Sequence, residues 1–152
     1  MALEMNTIGV KIGYAVETSA GTRPGTSYIN IPDIKSLPEI GAQPSQLEVT
    51  NLVDKRKRFI PGVVDAGSDF SMTANMTANL KSVWASMVSA ANAAWASGLS
   101  TWYEISIPNF DSFYFAGVPV DLGTSAIDVD GVLEASLHII PNQIVGWASA
   151  ST

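Results

Sequence analysis

The 152-residue chain contains no cysteine. That removes a disulfide framework, a thiolate nucleophile and a zinc ribbon together, and leaves the redox compartment unread. No apolar run approaches the roughly 18 residues a membrane span requires, so no membrane anchor is expected. Met1 to Lys11 has no basic stretch leading into an apolar one. A secretory signal is therefore not expected, and synthesis is placed in the cytoplasm. There is no Walker loop and no dinucleotide fingerprint.

Charge is also scarce. Asp, Glu, Lys and Arg make up 14% of residues, against about 25% in ordinary soluble domains. Mean hydropathy is +0.21. A chain of this length buries roughly 70% of its unfolded surface and must solvate or cover the rest. Burial against further copies explains the low charge; a neutral surface of Ser, Thr, Asn and Gly is the alternative. All eight basic residues lie between Lys11 and Lys81. Beyond them come only acids: Glu104, Asp111, Asp121, Asp128, Asp130 and Glu134. A net charge of −6 is the wrong sign for a nucleic-acid binder, which needs clustered cations to neutralise phosphates.

What is present is mostly strand pattern. Met1 to Thr26 is loop-rich, with a short strand expected at Ile8 to Ile12 and another stub at Tyr28 to Ile31. Leu47 and Val49 alternate with Gln46, Glu48 and Thr50, the signature of a half-buried strand. A charged loop follows, Asp54, Lys55, Arg56, Lys57 and Arg58, then Phe59-Ile60 and a ladder-breaking Pro61-Gly62. Asp69 to Thr77 is the clearest strand: Phe70, Met72, Ala74 and Met76 alternate with Asp69, Ser71, Thr73, Asn75 and Thr77.

One helix is expected, Leu80 to Ala96. Leu80, Val83, Trp84, Met87, Val88, Ala91 and Trp95 form one stripe, with Asn79 as N-cap and Gly98 as stop. Its other face, Ser82, Ala85, Ser86, Ser89 and Ala93, is small enough to lie against a neighbour. Tyr103, Ile105 and Ile107 then alternate with Trp102, Glu104 and Ser106, and Phe113 to Val118 reads as a strand covered on both faces. Ala126 to Val129 and Val132 to Ile139 read as a hairpin around Asp130-Gly131, a pair suited to a type I′ turn. Pro141 ends that arm, and Gln143 to Trp147 forms a last short strand. The expected fold is mainly β: two packed antiparallel sheets, as sandwich or barrel, with one flanking helix.

Catalytic and metal signals are weak. His138 is the only histidine and sits on a polar strand face with no serine or cysteine motif beside it, so it reads as a surface or interface residue. Asp128-Val129-Asp130-Gly131 resembles part of a calcium loop, but the first and twelfth positions would be Ala126 and Leu137, which supply no side-chain oxygen. Asn75-Met76-Thr77 fits a glycosylation sequon inside a strand. The basic run Lys55 to Arg58 is a solvated loop or a contact to an acidic neighbour; a DNA patch would need aromatic residues interleaved with the cations. No enzyme, cofactor or metal is indicated.

Three segments carry a resemblance: Ile31-Pro32-Asp33-Ile34-Lys35-Ser36-Leu37-Pro38, Leu47-Glu48-Val49-Thr50-Asn51-Leu52-Val53-Asp54, and Phe59-Ile60-Pro61-Gly62-Val63-Val64-Asp65-Ala66-Gly67. With the strand, helix and acidic β half that follow, residues 8 to 147 resemble the major tail tube proteins of long-tailed bacteriophages. The N-terminal segment to Thr26 matches no part of that pattern. The resemblance implies a single tail-tube domain over 1–152, with a loop-rich segment 1–26 and a mobile tail 148–152. Six copies would form a ring whose inner strands join into a β-barrel. Rings would stack into a tube in the virion tail, meeting other tail proteins at its ends and passing DNA without specific binding.

The loop from Asn51 to Ile60 would touch a neighbouring subunit, with Asp121, Asp128 and Asp130 as partners for its cations. A channel wall needs a wet strand face without Lys or Arg. Asp69, Ser71, Thr73, Asn75 and Thr77 fit it best, with Gln46, Glu48 and Thr50 beside them. A secretion-system tube protein is a related alternative; a monomeric β-sandwich surface-binding module and a small β-barrel enzyme are others.

Overall fold

A computed structural model describes residues 9–25, 28–38, 43–65, 70–124, 127 and 129–148, with side chains of 46–61 in the third stretch. Its strands are β1 (Lys11–Val16), β2 (Ile29–Asn30), β3 (Ile34–Ser36), β4 (Gln43–Glu48), β5 (Phe59–Asp65), β6 (Phe70–Asn75), β7 (Thr101–Ser106), β8 (Ser112–Pro119), β9 (Gly123–Thr124) and β10 (Glu134–Ala148). One helix, α1 (Ala78–Ala96), stands between β6 and β7. The first strand therefore starts later than expected, at Lys11, and Ile8 lies outside the described residues.

Eight strands form one curled antiparallel sheet in the order β2-β1-β7-β8-β10-β6-β3, with β9 beside β10. β4 and β5 form a separate two-stranded sheet. The fold is mainly β with one flanking helix, as expected, and its two sheets are very unequal.

β10 is the spine of the large sheet. Its first part pairs with β6, from Glu134↔Asn75 to Ile139↔Phe70; its second pairs with β8, from Ile139↔Pro119 to Ala148↔Ser112. The strand was expected to stop at Pro141, but it runs through. The register shifts between Pro141 and Gln143, and beyond Ile139 the side facing away from β8 pairs with no described strand. A bulged position with an open side tolerates the missing N–H of proline. Ala148 ends β10, and 149–152 lie outside the described residues.

The tight hairpin at Asp130-Gly131 does not form. β10 instead pairs back onto β9 through Ala135↔Thr124 and Ser136↔Gly123. Ile127 and Val129 are exposed, with no sheet face to bury; Ala126 and Asp128 lie outside the described residues.

Helix α1 buries Leu80, Trp84, Met87, Ala91 and Ala94 at alternating steps of four and three. They pack on the core face of the sheet with Phe70, Met72, Phe115, Leu137 and Ile139. Trp95, placed on the stripe from sequence, is 65% exposed, because Ala94 occupies the inward position. The N-cap is Thr77 rather than Asn79: its hydroxyl accepts from Leu80 N at 3.1 Å and donates to Asp33 Oδ2 at 2.7 Å. Gly98 (φ +76°) ends the helix as expected. Leu99 N donates to Ala94 O at 2.8 Å and Gly98 N to Trp95 O at 3.0 Å, a Schellman ending.

The expected half-buried alternation of β7 is buried on both faces. Tyr103 and Ile105 face the helix side; Trp102 and Glu104 face a second, polar layer. The segment after β1 covers that layer. Glu17, 4% exposed, accepts from Trp102 Nε1 at 2.7 Å, Ser100 N at 3.1 Å and Gly21 N at 3.2 Å. Tyr114 Oη donates to Glu104 Oε2 at 2.5 Å. The Arg23 guanidinium lies 4.0 Å from the centre of the Tyr114 ring, and Tyr28 packs on the same ring at 5.8 Å.

Candidate assembly surfaces

The outer face of β6 is the first surface. Phe70, Met72 and Ala74 turn inward and are buried, as the alternation requires. Ser71, Thr73 and Asn75 therefore share the other face. Register adds three residues from β10 that sequence alone did not place there: His138 opposite Ser71, Ser136 opposite Thr73, and Glu134 opposite Asn75. Ser71 Oγ is 3.0 Å from His138 Nδ1, and Ser136 Oγ is 2.9 Å from His138 Nε2. Two hydroxyls thus brace one imidazole. The contacts form a cross-strand polar ladder. Lys35, on β3, forms an ion pair with Glu134 at the edge of this face.

The other channel-wall candidates fall elsewhere. Asp69 lies outside the described residues. Thr77 is past the end of β6 and is occupied as the helix cap. Gln46 and Glu48 sit on β4 and Thr50 just beyond it, in the small sheet rather than beside β6. The expected burial of one β4 face is also absent: Leu47 and Val49 are exposed.

The small sheet is an arm, and its tip is the second surface. Asp54 Oδ2 accepts from Asn51 N and Arg58 Nε, both at 2.9 Å. Asn51 Oδ1 accepts from Val53 N at 3.1 Å, and Thr50 Oγ1 from Arg58 N at 2.9 Å. Arg58 is thus drawn into its own loop by Asp54. Lys55, Arg56 and Lys57 are exposed and belong to neither ion pair found among the described residues. Leu52 and Val53, which sequence reasoning did not single out, stand out at 105% and 85% exposure.

A third surface lies along α1. Trp84, Ala85, Val88, Ser89, Asp121 and Leu122 line a groove of about 650 Å³. Asp121 and Asp130 are exposed; Asp128 lies outside the described residues. No group of three His, Asp or Glu among the described residues could hold a metal ion. No helix among them is long and apolar enough to cross a membrane. Burial, with smaller contributions from Tyr114 and Glu104 that outweigh nearby Arg23, pushes Tyr28 up to about 12. Burial also raises Tyr14 and, further, Tyr103.

A curled antiparallel sheet with one helix and a projecting two-stranded arm is a fold found in phage-type tail assemblies. Along its whole length the chain matches all of a chain in the six-fold symmetrised baseplate of the anti-feeding prophage (TM-score 0.65, 7% identity). It also matches all of a chain in the virion of the native gene transfer agent particle, over 96% of its own length (TM-score 0.61, 11% identity). A chain in the tail of the empty gene transfer agent particle, of C6 symmetry, is matched in full by 95% of this one (TM-score 0.61, 11% identity). No protein-family model matches the chain, and no curated protein matches its sequence. At these identities the likeness establishes the fold, and the resemblance read from sequence holds at that level.

Proposed function

We propose that this chain is a structural subunit, not an enzyme, that polymerises as stacked hexameric rings into a virion tail tube through which DNA passes. The observation that carries the reading is the full-length fold match to a chain in a C6-symmetric tail. The sheet edges agree with it. β2 and β3 are two and three residues long, and β3 pairs with β6 only at Ala74 and Thr73. Backbone groups along the rest of that edge gain partners when a neighbouring copy continues the sheet, which also removes an aggregation hazard.

In this arrangement Ser71, Thr73 and Asn75 face the channel, joined by Ser136 and His138 of the paired strand. Ser71, Thr73, Asn75 and Ser136 carry no charge, and Lys35 at the edge of this face is paired with Glu134, which leaves passing phosphates little cationic foothold. The partners are further copies of the chain, other tail proteins at the tube ends, and DNA in transit; no cofactor takes part. Electron microscopy of the native particle tests the reading. Six-fold rings stacked in the tail are expected, and a particle in which this chain forms neither ring nor tube overturns it.

A further inference from the structure

His138 stands between two serines on the proposed channel face. Ser71 Oγ lies 3.0 Å from its Nδ1 and Ser136 Oγ 2.9 Å from its Nε2. A neutral imidazole has one N–H and one lone pair, and a hydroxyl can donate or accept. In either tautomer, one serine accepts from the ring and the other donates to it. An imidazolium donates from both nitrogens. Both serines then accept, which needs one hydroxyl hydrogen to swing away and no heavy atom to move. The cradle serves both charge states with the same two contacts, so proton uptake changes the charge of the face without changing its shape. We infer that His138 is a proton-operated brake on the channel wall: protonated, it puts a cation on this face in every subunit and slows the DNA passing it. This rests on the proposed function and adds a means of regulating it.

The surroundings set how much that charge counts. Ser71, Thr73 and Asn75 of β6 and Ser136 of β10 bring no ionisable group to the face. Gly123 and Thr124 of β9, beside Ser136 and Ala135, bring none either. Lys35 of β3 and Glu134 of β10 are paired with each other and present little net charge. The stretch after β8 is tied to β10 by Val120 N, which donates to His138 O at 3.0 Å, and the exposed Asp121 comes next along the chain. Asp69, ahead of β6, lies outside the described residues. An acid at either position offsets part of the new charge, yet the proton still shifts the face by one positive unit. Histidine is the side chain whose charge ordinarily changes between about pH 5 and 8. Phosphodiesters stay ionised throughout that range, so the attraction is switched from the protein side alone. One proton does little to one phosphate, but every subunit of every stacked ring repeats it along the tube.

His138 is the only histidine in the chain, so one substitution removes every imidazole from a tube of this protein. Particles carrying the wild-type chain, His138→Gln or His138→Lys are triggered to eject, and DNA release is timed at about pH 7.5 and about pH 5.5. Glutamine keeps a donor and an acceptor for the two serines and stays neutral. The wild type is expected to slow by about threefold or more at the lower pH. His138→Gln should be fast at both and His138→Lys slow at both. A wild type with no acid response overturns the brake. Equal slowing in the wild type and His138→Gln also overturns it, because the response then comes from elsewhere. Either result, with tubes present by microscopy, leaves the proposed function standing. His138→Lys particles that eject at the normal rate overturn the brake together with the placement of this face in the channel. A wild-type particle in which this chain forms neither ring nor tube overturns the brake and the proposed function alike.

Discussion

The Trp102 indole donates to Glu17 Oε1 at 2.7 Å, joining a buried carboxylate at the end of β1 to the second strand of the polar layer. Glu17 also holds Ser100 N and Gly21 N. Glu17→Ala leaves one buried donor, Trp102 Nε1, and two part-buried donors without this partner and is expected to destabilise the monomer by roughly 2 kcal/mol. Urea denaturation followed by tryptophan fluorescence measures it. A loss below about 0.5 kcal/mol would mean that water replaces the carboxylate without penalty.

Tyr103 is the opposite case. Its ring stacks on Phe115 at 5.2 Å, fully buried, while its hydroxyl has no hydrogen-bond partner among the described residues. Tyr103→Phe keeps the stacking and removes the orphaned group. It is expected to leave stability unchanged or raise it by about 1 kcal/mol. A marked loss in thermal or urea unfolding would reveal a hidden hydrogen bond.

Alkaline stability should follow the tyrosines. Burial raises the folded-state value of Tyr28 from 10.0 to about 12. A raised value means the folded state favours the protonated phenol. That contribution is complete below about pH 10 and is lost as pH rises towards 12; Tyr103 and Tyr14 act in the same direction. Stability measured from pH 8 upwards should therefore fall steeply past pH 10. Tyr28→Phe should make that fall shallower; an unchanged slope would remove Tyr28 from the cause.

The arm prediction spares Arg58, because Asp54 already binds it. Lys55→Glu, Arg56→Glu and Lys57→Glu together should leave the monomer folded and stop polymerisation. Each exposed pair is worth under about 1 kcal/mol, but a ring repeats every contact. Tubes of normal length in the triple variant would show that these cations face solvent.

The proposed channel face is tested by charge. Thr73→Lys with Asn75→Lys places two cations on the outer face of β6, repeated in every subunit. Assembly should survive and DNA passage should slow or stop, since weak phosphate attraction accumulates along a tube. A double variant that assembles and ejects DNA at the normal rate would place this face outside the channel.

Local periodicity made β6 and α1 legible, because each has one face in the core and its pattern records that face. It failed where burial depends on distant chain. Glu104 and Trp102 read as the polar side of β7, yet the segment around Glu17, Arg23 and Tyr28 covers them. Leu47 and Val49 alternate as a half-buried strand should, yet remain exposed on the arm. An apolar face says that something covers it, without saying whether that is the same chain. Pro141 breaks a strand only where its missing N–H faces a partner, and the open side of β10 removes that constraint. The candidate channel face was half visible: Ser71, Thr73 and Asn75 follow from alternation, whereas Ser136 and His138 join them only through a register set more than sixty positions away.

The position of β10 also governs when the molecule can be finished. The last described strand lies between β8 and β6 in space, so before it is made the sheet is in two separate parts. Until Glu134 and the residues after it leave the ribosome, β1, β7 and β8 have no link through the sheet to β6 and β3. Pairings of such long sequence separation form late. A partly synthesised chain therefore has no complete sheet. The topology thus ties completion of the sheet to the order of synthesis.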